Sequence, residues 1–369
     1  MKIAMFGHKK IPSREGGIEV VVEEISKRMV GRGHNVICYN RKKHRINGKN
    51  LNYTARVYKG IVVKNVITLD KRGMAAVTSS FFASILCGIS NYDIVHIHAE
   101  GPAFFSFIPK IFGKKVVVTI HGLDWERSKW SNFASWYIKQ GEKNAVKYAD
   151  EIIVLSEKTK NYFTENYGRI TTYIPNGVNE PQNRKADLIR EWQLEKDNYF
   201  LFLGRIVPEK GLKYLVEAWG QINTTKKLVI AGGSSDSDSF FDEIKSINKE
   251  IIFTGFVEGK MLDELYSNAY VYILPSDVEG MPLSLLESMS YGNCCLVSNI
   301  PECKSVVGDY GITFKAGDIN SLVDKIQYLN DNPEIVDAFK KKSKKYILNK
   351  YNWDDVVDKT LNVYRNKSI

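Results

Sequence analysis

Short apolar runs alternate with amphipathic helical patterns along the chain, and this alternation constrains the fold more than any other feature. Strands separated by helices favour parallel sheets that are covered by helices on both faces. With 369 residues, the chain exceeds what one hydrophobic core usually serves, so two domains are expected. The sequence therefore predicts an α/β protein built from two doubly wound, Rossmann-like domains.

The two predicted domains are separated by a change in composition. Seven strands are predicted in the first half and six in the second, and between them the segment IPNGVNEPQNRK, rich in Pro, Gly and Asn, predicts a linker at about 175–198. In the first half a strand is predicted over Ile61–Leu69 and a helix over Gly101–Ile111. Ligands of such sheets bind beyond the carboxyl ends of the strands, so the candidate site residues are those that follow each strand.

Positive charge is concentrated in the first half. Residues 1–175 carry 28 Lys and Arg against 14 Asp and Glu, whereas residues 176–369 carry 24 against 28. Within Arg41–Arg72, ten basic residues are opposed only by Asp70. A basic excess over a whole domain indicates an anionic partner, such as acidic lipid or a pyrophosphate-linked acceptor. Nucleic acid is not expected, because the chain has neither zinc-finger spacing nor an RNP-type aromatic motif.

The cysteines and the longest apolar segments indicate in which cellular compartment the protein is expected. The five cysteines are an odd number without C-x-x-C spacing, which favours a reducing cytosol over a disulfide framework or a zinc knuckle. The start, MKIAMFGHKK, has too short an apolar run for a signal peptide. Gly73–Tyr92 is uncharged over 20 residues, which would just span a bilayer, but its Ser, Thr and Asn residues favour a buried or membrane-docking helix.

Two candidate sites follow strands of the first half. Gly16–Gly17 precedes a helix, where glycines let a backbone approach a ligand and a helix start favours an anion. The pattern is not G-x-G-x-x-G, so a nicotinamide cofactor is not indicated. His121 follows another strand, where it either hydrogen-bonds a sugar or reacting hydroxyl or only closes the strand end; position alone leaves both open. Of His96 and His98, which alternate on one strand, at least one is expected to pack in the core.

The second half opens with LFLGRIVPEKGL, which brings two cations to one strand end. Arg205 follows the strand, and Lys210 stands at the start of the next helix. A bidentate guanidinium and a compact ammonium together suit a diphosphate, and they would offset the charge that develops on a leaving nucleotide diphosphate. The alternative is a surface ion pair between Arg205 and Glu209.

The segment SDVEGMPLSLLESMSYG is the most specific feature of the sequence. Pro282 suits a first helical turn, so Glu279 is predicted in the preceding loop and Glu287 on the second turn. The free amide groups of Leu283 and Ser284 would then face an anion. A nucleoside diphosphate joined to a sugar would contact all three groups. The helix amides would bind the diphosphate, Glu287 would accept hydrogen bonds from the two ribose hydroxyls, and Glu279 would reach the sugar.

This arrangement resembles the family 4 glycosyltransferases of the GT-B fold, over nearly the whole chain. The resemblance is carried by Gly16–Gly17, His121, Gly204–Arg205 with Lys210, and E-x7-E as Glu279 and Glu287. The opening IAMFGHKKIPSREGGIEVVVEE looks like a subgroup of bacterial polysaccharide glycosyltransferases that includes rhamnosyltransferases. The resemblance implies two doubly wound domains facing across a cleft: an acceptor-side domain over 1–175 and a nucleotide-sugar-binding domain over 176–352.

The resemblance also implies residue roles. Arg205 and Lys210 would bind the donor diphosphate, and His121 would lie near the transferred sugar. The expected catalytic residues are His121, Glu279, Arg205 and Lys210, and the expected donor-binding residues are Gly16, Gly17, Arg205, Lys210, Glu279, Gly280, Met281, Pro282, Leu283, Ser284 and Glu287. Asp236-x-Asp238 resembles the metal-binding D-x-D of the other glycosyltransferase fold, but it lies in a Ser-rich turn, so neither a metal nor a cofactor is expected.

The last predicted helix, Trp353–Arg365, has one apolar face, formed by Trp353, Val356, Val357, Leu361 and Tyr364. The face alone indicates only that the helix docks somewhere. The GT-B resemblance implies that 353–369 packs back on the first domain, and a helix that completes the second domain is the alternative.

The expected function is the transfer, implied to be retaining, of a sugar from a UDP-sugar or dTDP-rhamnose type of donor to a lipid-linked glycan acceptor in cell-surface polysaccharide synthesis. The enzyme would be cytoplasmic and peripheral on the inner face of the membrane, where its basic domain and the segments PAFFSFIPKIF and WERSKWSNFASWY meet the acceptor. A nucleotide-sugar 2-epimerase, which turns over without an acceptor, and a non-catalytic sugar-nucleotide sensor are the alternatives.

Overall fold

The computed structural model describes residues 1–42, 56–69, 71, 73–126, 131–233 and 238–366. These residues form two compact units. The first unit comprises Met1–Asn176 together with the end of the chain from Trp353, and the second comprises Gly177–Asn352.

The first unit is built on a sheet of eight strands in the order β3-β4-β2-β1-β5-β6-β7-β8, parallel except for β3, which runs antiparallel to β4. The central strands are runs of buried Val and Ile, as expected for strands that helices cover on both faces. Its elements up to the second unit are β1 (Lys2–Phe6), α1 (Gly17–Gly31), β2 (Asn35–Arg41), β3 (Val57–Tyr58), β4 (Ile61–Val66), α2 (Met74–Ile89), β5 (Ile94–His98), α3 (Glu100–Ala103), α4 (Phe107–Ile111), β6 (Lys115–Ile120), α5 (Asn132–Tyr148), β7 (Glu151–Val154), α6 (Glu157–Tyr167) and β8 (Thr172–Tyr173).

The second unit is built on an all-parallel sheet of six strands in the order β11-β10-β9-β12-β13-β14. This is the strand order of the dinucleotide-binding fold, reached without its glycine fingerprint. Its elements are β9 (Tyr199–Leu203), α7 (Leu212–Trp219), β10 (Lys227–Ala231), α8 (Asp238–Ile247), β11 (Ile252–Gly255), α9 (Lys260–Asn268), β12 (Val271–Leu274), α10 (Leu283–Ser290), β13 (Cys294–Ser298), α11 (Pro301–Val307), β14 (Ile312–Phe314), α12 (Ile319–Asp331) and α13 (Pro333–Lys350).

Helix α14 (Trp353–Arg365) packs within the first unit, although it follows the second unit along the chain. Arg32, just after α1, pairs with Asp358 at 2.5 Å and with Asp354 at 3.2 Å. On the buried face, the hydroxyl of Tyr364 lies 2.6 Å from Nδ1 of His96. The apolar face read from the sequence is thus buried against the first sheet and α1.

The segment predicted as a linker is instead part of the second unit. Residues 188–192 form a 3₁₀ turn, and the side chains of Ile189 and Leu194 are fully buried in the second core. The amides of Asp187 and Ile189 both donate to Oε2 of Glu264 on α9, at 2.9 and 3.2 Å. The Pro- and Asn-rich composition belongs only to the start of this segment, and the apolar residues after it dock.

Two predicted elements of the first unit are shorter than expected. The strand from Ile61 ends at Val66, where the hydroxyl of Thr68 donates to the Val66 carbonyl and accepts from the amide of Lys42, so that side-chain hydrogen bonds follow the backbone ladder. The helix predicted over Gly101–Ile111 is divided into α3 and α4. Pro109 explains this break, since its ring has no N–H to offer the Phe105 carbonyl one turn earlier.

The uncharged stretch Gly73–Tyr92 contains α2, which buries Ser80, Ser84 and Cys87 and exposes Phe81 and Ile89. None of the helices in the described ranges has both the length and the hydrophobicity needed to cross a bilayer.

Candidate functional site

Each sheet has one point where the strand order reverses, between β1 and β5 in the first unit and between β9 and β12 in the second. The connections on either side of such a point leave on opposite faces of the sheet, which opens a crevice beyond the carboxyl ends of the strands. The candidate residues of each unit lie at these two places.

In the second unit, the loops that follow β9 and β12 touch each other. Gly211, which precedes α7, has a φ of +67°, and a Cβ there would lie 2.0 Å from the carbonyl oxygen of Pro275. The amide of Asp277 donates to the carbonyl of Glu209 at 3.0 Å. Only glycine satisfies both the left-handed backbone and the close approach at residue 211, so this residue brings the two loops together.

The contact between these loops holds the predicted cation and carboxylate. Nζ of Lys210 forms an ion pair with Oε1 of Glu279, and their side chains are only 13% and 8% exposed. The hydroxyl of Ser276 donates to the same carboxylate oxygen at 2.7 Å. Arg205, directly after β9, has no ion pair or side-chain hydrogen bond with any described residue. One cation is therefore fixed by a carboxylate, and the guanidinium of the second has no partner among the described residues.

Glu209 does not form the surface ion pair considered as the alternative for Arg205. Its side chain is buried, and neither carboxylate oxygen has a hydrogen-bond partner in the described part of the chain. The surface-pair interpretation is therefore wrong, because the residue points inward.

Helix α10 begins at Leu283, directly after Pro282, and no side chain caps its start. Its first amide groups have no acceptor within the helix. The hydroxyl of Tyr272 on β12 lies 2.8 Å from Oγ of Ser284 and 3.3 Å from the carbonyl oxygen of Leu203, which ties the start of α10 to the end of β9. The structure thus brings the start of this helix to the same strand ends as Lys210 and Glu279.

Glu287 lies on the second turn of α10, apart from the ion pair. Its Oε2 lies 3.4 Å from the hydroxyl of Tyr266. Gly280 and Met281 complete the loop between Glu279 and the helix.

In the first unit, the ends of β1 and β5 are in close contact. Gly7 has a φ of +112°, and a Cβ there would lie 2.1 Å from the carbonyl oxygen of His98. The glycine pair Gly16–Gly17 begins α1, but Glu19 lies beside it, because one carboxylate oxygen accepts from the amide of Lys9 at 2.7 Å and the other stands 2.3 Å from a Cβ built on Gly16. An anion at the start of α1 would therefore meet the carboxylate of Glu19.

His121 directly follows β6, and its Nε2 lies 3.1 Å from Nδ1 of His98. Burial lowers the pKa of His96 to about 3 and holds the pKa of His98 well below its usual value, so both rings are neutral. Both are buried in the first unit, where the sequence indicated at least one packing residue. The contact between His98 and His121 was not predicted from the sequence.

The loop after His121 is held by two buried carboxyl groups that the sequence did not indicate. Oε2 of Glu100 accepts from the amide of Asp124 at 2.8 Å, and Oε2 of Glu142 accepts from Nε1 of Trp125 at 3.1 Å. Burial, followed by the charges of Asp124 and Glu142, raises the pKa of Glu100 well above its usual value. The only sequence signal for these carboxyl groups is Trp125 in HGLDWERSKW, because a buried indole N–H needs a hydrogen-bond acceptor.

No cluster of three or more His, Cys, Asp or Glu side chains that could hold a metal is present within the described ranges. Asp236 of the D-x-D pair lies outside those ranges, and Asp238 begins α8. The five cysteines are free and buried.

Two family models match the chain. Residues 15–181 match Glycosyltransferase Family 4, and residues 184–346 match Glycosyl transferases group 1. The chain is a family 4 glycosyltransferase. Its curated relatives include an uncharacterized glycosyltransferase of Methanocaldococcus jannaschii, 26% identical over 99% of this chain and 98% of the relative.

A second relative of this glycosyltransferase has a defined reaction. The UDP-Gal:alpha-D-GlcNAc-diphosphoundecaprenol alpha-1,3-galactosyltransferase of Escherichia coli is 28% identical over 74% of this chain and 75% of the relative.

Solved structures confirm the predicted GT-B fold. The glycosyltransferase superimposes on sucrose-phosphate synthase of Thermosynechococcus elongatus with a TM-score of 0.83 at 19% identity, covering 99% of this chain and 98% of that one. It superimposes on Anabaena HepE in complex with UDP and glucose with a TM-score of 0.81 at 14% identity, covering 98% of each chain.

Proposed function

We propose that this glycosyltransferase moves a hexose or deoxyhexose from a nucleotide-sugar donor of the UDP-sugar or dTDP-rhamnose type to a lipid-linked glycan acceptor, with retention of configuration, in the synthesis of a cell-surface polysaccharide. The observation that carries the donor side is the ion pair of Lys210 and Glu279 beside the uncapped start of α10, with Arg205 at the same strand end. The diphosphoundecaprenol acceptor of the Escherichia coli relative supports a lipid-diphosphate acceptor here.

In the proposed reaction, the bond between the anomeric carbon and the diphosphate oxygen breaks, a bond to the acceptor hydroxyl forms, and the hydroxyl loses its proton. Negative charge grows on the leaving diphosphate. Arg205, Lys210 and the first amides of α10 offset this charge, and Lys210 and the helix amides are held in place before the reaction, so they need no reorganisation. With two cations in this role the reaction needs neither a metal nor a cofactor, so transfer should persist in a chelator.

The carboxylates of Glu279 and Glu287 contact the two other parts of the donor, the sugar and the ribose. Glu279, in the loop ahead of the helix, accepts from hydroxyls of the donor sugar and holds Lys210 in place. Glu287, one turn into α10, accepts from the ribose hydroxyls. In the first unit, His121 contacts the transferred sugar and Gly16–Gly17 lets the backbone approach it.

The first unit is also proposed to meet the cytoplasmic face of the membrane as a peripheral protein. Beside its excess of basic residues, it exposes Ile89, Ile111 and Phe112, and on α5 the exposed rings of Phe133 and Trp136 stack with centroids 5.7 Å apart. Aromatic rings beside lysines are typical of surfaces that lie at the headgroup level of a bilayer.

Binding to vesicles tests the membrane proposal. The protein should bind phosphatidylcholine vesicles that contain phosphatidylglycerol more tightly than phosphatidylcholine alone and lose this preference in high salt, because each basic residue near an anionic surface contributes about 1 kcal/mol. Salt-insensitive binding would point instead to insertion of α2. Of the basic group at 41–45, Lys42 is exposed, Arg41 has a buried Nε and is a poor mutation target, and Lys43 and Arg45 lie outside the described residues.

A thermal-shift panel of UDP-, GDP-, dTDP- and ADP-sugars tests the donor assignment, because a bound ligand raises the apparent stability of the folded state. The sugar with the largest shift is then incubated with a diphosphate-linked lipid saccharide in the presence of EDTA, and the anomeric configuration of the product is read by NMR. Transfer with retention is expected. Consumption of the donor without an acceptor would indicate an epimerase, and binding without any turnover would indicate a sensor.

A further inference from the structure

Three histidine rings stand in a row at the carboxyl edge of the first sheet. His96 and His98 share one face of β5, with ring centroids 4.2 Å apart, and the ring of His121 after β6 is 5.3 Å from that of His98. His96 has partners for both nitrogens, because Nδ1 lies 2.6 Å from the hydroxyl of Tyr364 and Nε2 lies 2.7 Å from Oγ1 of Thr119. His98, in contrast, has one ring nitrogen without a partner among the described residues.

Only one nitrogen of His98 has a partner. Nδ1 lies 3.1 Å from Nε2 of His121, whereas Nε2 of His98 is buried and has no hydrogen-bond partner among the described residues. Since His98 is neutral, it carries a single N–H. A hydrogen bond between two imidazole nitrogens needs a proton on one and a lone pair on the other, so the tautomer of His98 sets the tautomer of His121.

Two arrangements satisfy this hydrogen bond, and they leave different groups of His98 unpaired. If His121 donates, the proton of His98 is on Nε2, as a buried N–H without an acceptor. If His98 donates from Nδ1, its unpaired Nε2 is a lone pair. Buried N–H groups without acceptors are rarer in folded proteins than buried acceptors without donors, which favours donation by His98.

We propose that His98 is the positioning residue of His121: it donates Nδ1–H to Nε2 of His121, orients that ring, and fixes the proton of neutral His121 on Nδ1. The backbone of His98 is itself held by the close approach of Gly7. A ring whose orientation and proton are set in advance needs no rearrangement when the sugar binds. The catalytic consequence rests on the proposed function, in which His121 contacts the transferred sugar; the tautomer does not.

The tautomer is tested on the full chain labelled with ¹⁵N-histidine. Long-range ¹H–¹⁵N spectra distinguish a protonated from an unprotonated ring nitrogen, and we expect His121 to carry its proton on Nδ1 and His98 to carry its proton on Nδ1 as well. A proton on Nε2 of His121 would overturn the proposal, and this reading needs no variant and no substrate.

Three substitutions then separate positioning from packing. His98→Phe keeps a ring of similar size but has no donor, and should release the tautomer of His121 and lower kcat about 10²-fold, the scale for a misplaced group beside the chemistry, with the KM for the donor sugar nearly unchanged. His98→Asn places an amide donor near the position of Nδ1 and should restore the tautomer and most of kcat. Tyr364→Phe removes a hydrogen bond of His96 only and should leave the tautomer of His121 and kcat unchanged.

The outcomes separate the role of His98 from the proposed function. If His98→Phe leaves the tautomer of His121 as it is in the wild type, or if His98→Asn is no better than His98→Phe, the positioning role is wrong even when transfer is confirmed. If no sugar of the panel is transferred, the proposed function fails, and the spectra of the wild type and of His98→Phe still decide the role of His98.

Discussion

The carboxyl edges of the two sheets have similar topology and opposite chemistry. At the carboxyl edge of the second sheet, Lys210 and Glu279 form a largely buried ion pair, and Arg205 lies after the end of β9. At the carboxyl edge of the first sheet, the ends of β5 and β6 carry the imidazoles of His96, His98 and His121, and burial keeps His96 and His98 uncharged. The same fold therefore presents a charged ion pair at one edge and uncharged imidazoles at the other, and the few residues in and after the strand ends make this difference.

The helix starts also differ, but they differ within each unit rather than between the two units. In the first unit, α5 and α6 are capped by the hydroxyls of Ser131 and Ser156, which accept from the amides of Ala134 and Thr159. In the second unit the carboxylate of Asp318 caps α12 by accepting from the amide of Ser321, whereas no side chain caps α10. Capped helices contribute stability, whereas a free helix start leaves its amides to a ligand.

The largest expected effect concerns α14, which belongs to the first unit alone. Leu361→Ala should lower the free energy of unfolding by about 2–5 kcal/mol, the cost of truncating a buried leucine. Hydrogen exchange should then rise in α1 and β1 and stay unchanged in β9–β14. Leu329→Ala on α12 is the matched variant, and it should have the reverse pattern. Opening of the second sheet by Leu361→Ala would contradict the division into these two units.

The next largest effect concerns the two cations at the carboxyl edge of the second sheet. Arg205→Ala and Lys210→Ala should each lower the transfer rate by about 10²-fold, the scale for losing one group that stabilises developing charge. The unfolding midpoint should change little in Arg205→Ala, because this guanidinium has no partner among the described residues, and it should fall in Lys210→Ala, because the largely buried carboxylate of Glu279 loses its cation. Lys213→Ala is the control, since its ion pair with Glu243 is exposed and lies outside the proposed site. Near-native rates in both Arg205→Ala and Lys210→Ala would refute the diphosphate assignment.

A smaller effect separates the two carboxylates of the second unit. Glu287→Ala should weaken binding of UDP about tenfold or more, the scale of a hydrogen bond to a charged group, because the ribose loses its acceptor. Glu279→Ala should leave the affinity for UDP largely intact and lower transfer from the intact sugar donor. Calorimetry with UDP alone compares the two variants, and equal losses of affinity would end this division of roles.

The smallest effect tests the difference between capped and uncapped helices. Ser156→Ala should cost about 1 kcal/mol of stability, because the amide of Thr159 loses its acceptor. The affinity for UDP should not change. Ser156→Asp, which retains an acceptor, should recover the stability in urea unfolding; a drop in UDP affinity in either variant would show that α6 is coupled to the donor site.

The fold was predictable because its signal is local. Buried strands such as KVVVTI and the helices between them can be recognised within a few residues, and this sufficed for two doubly wound domains. The proposed donor site was predicted as a set of strand-end residues, from the resemblance and from the setting of Glu279 before Pro282, and its residue roles stay predictions. The sequence could not show that Glu279 pairs with Lys210, 69 residues away, or that Tyr364 reaches His96 across 268 residues, because register and packing decide such contacts.

The place of α14 has a consequence for biosynthesis. A chain made from its amino end completes the strands of the first unit, then the whole second unit, and only then the helix that covers α1 and supplies Tyr364 to His96. The second unit is continuous in sequence and can fold as it leaves the ribosome, whereas the first waits for α14. The first unit should therefore be the one that chaperones hold during translation.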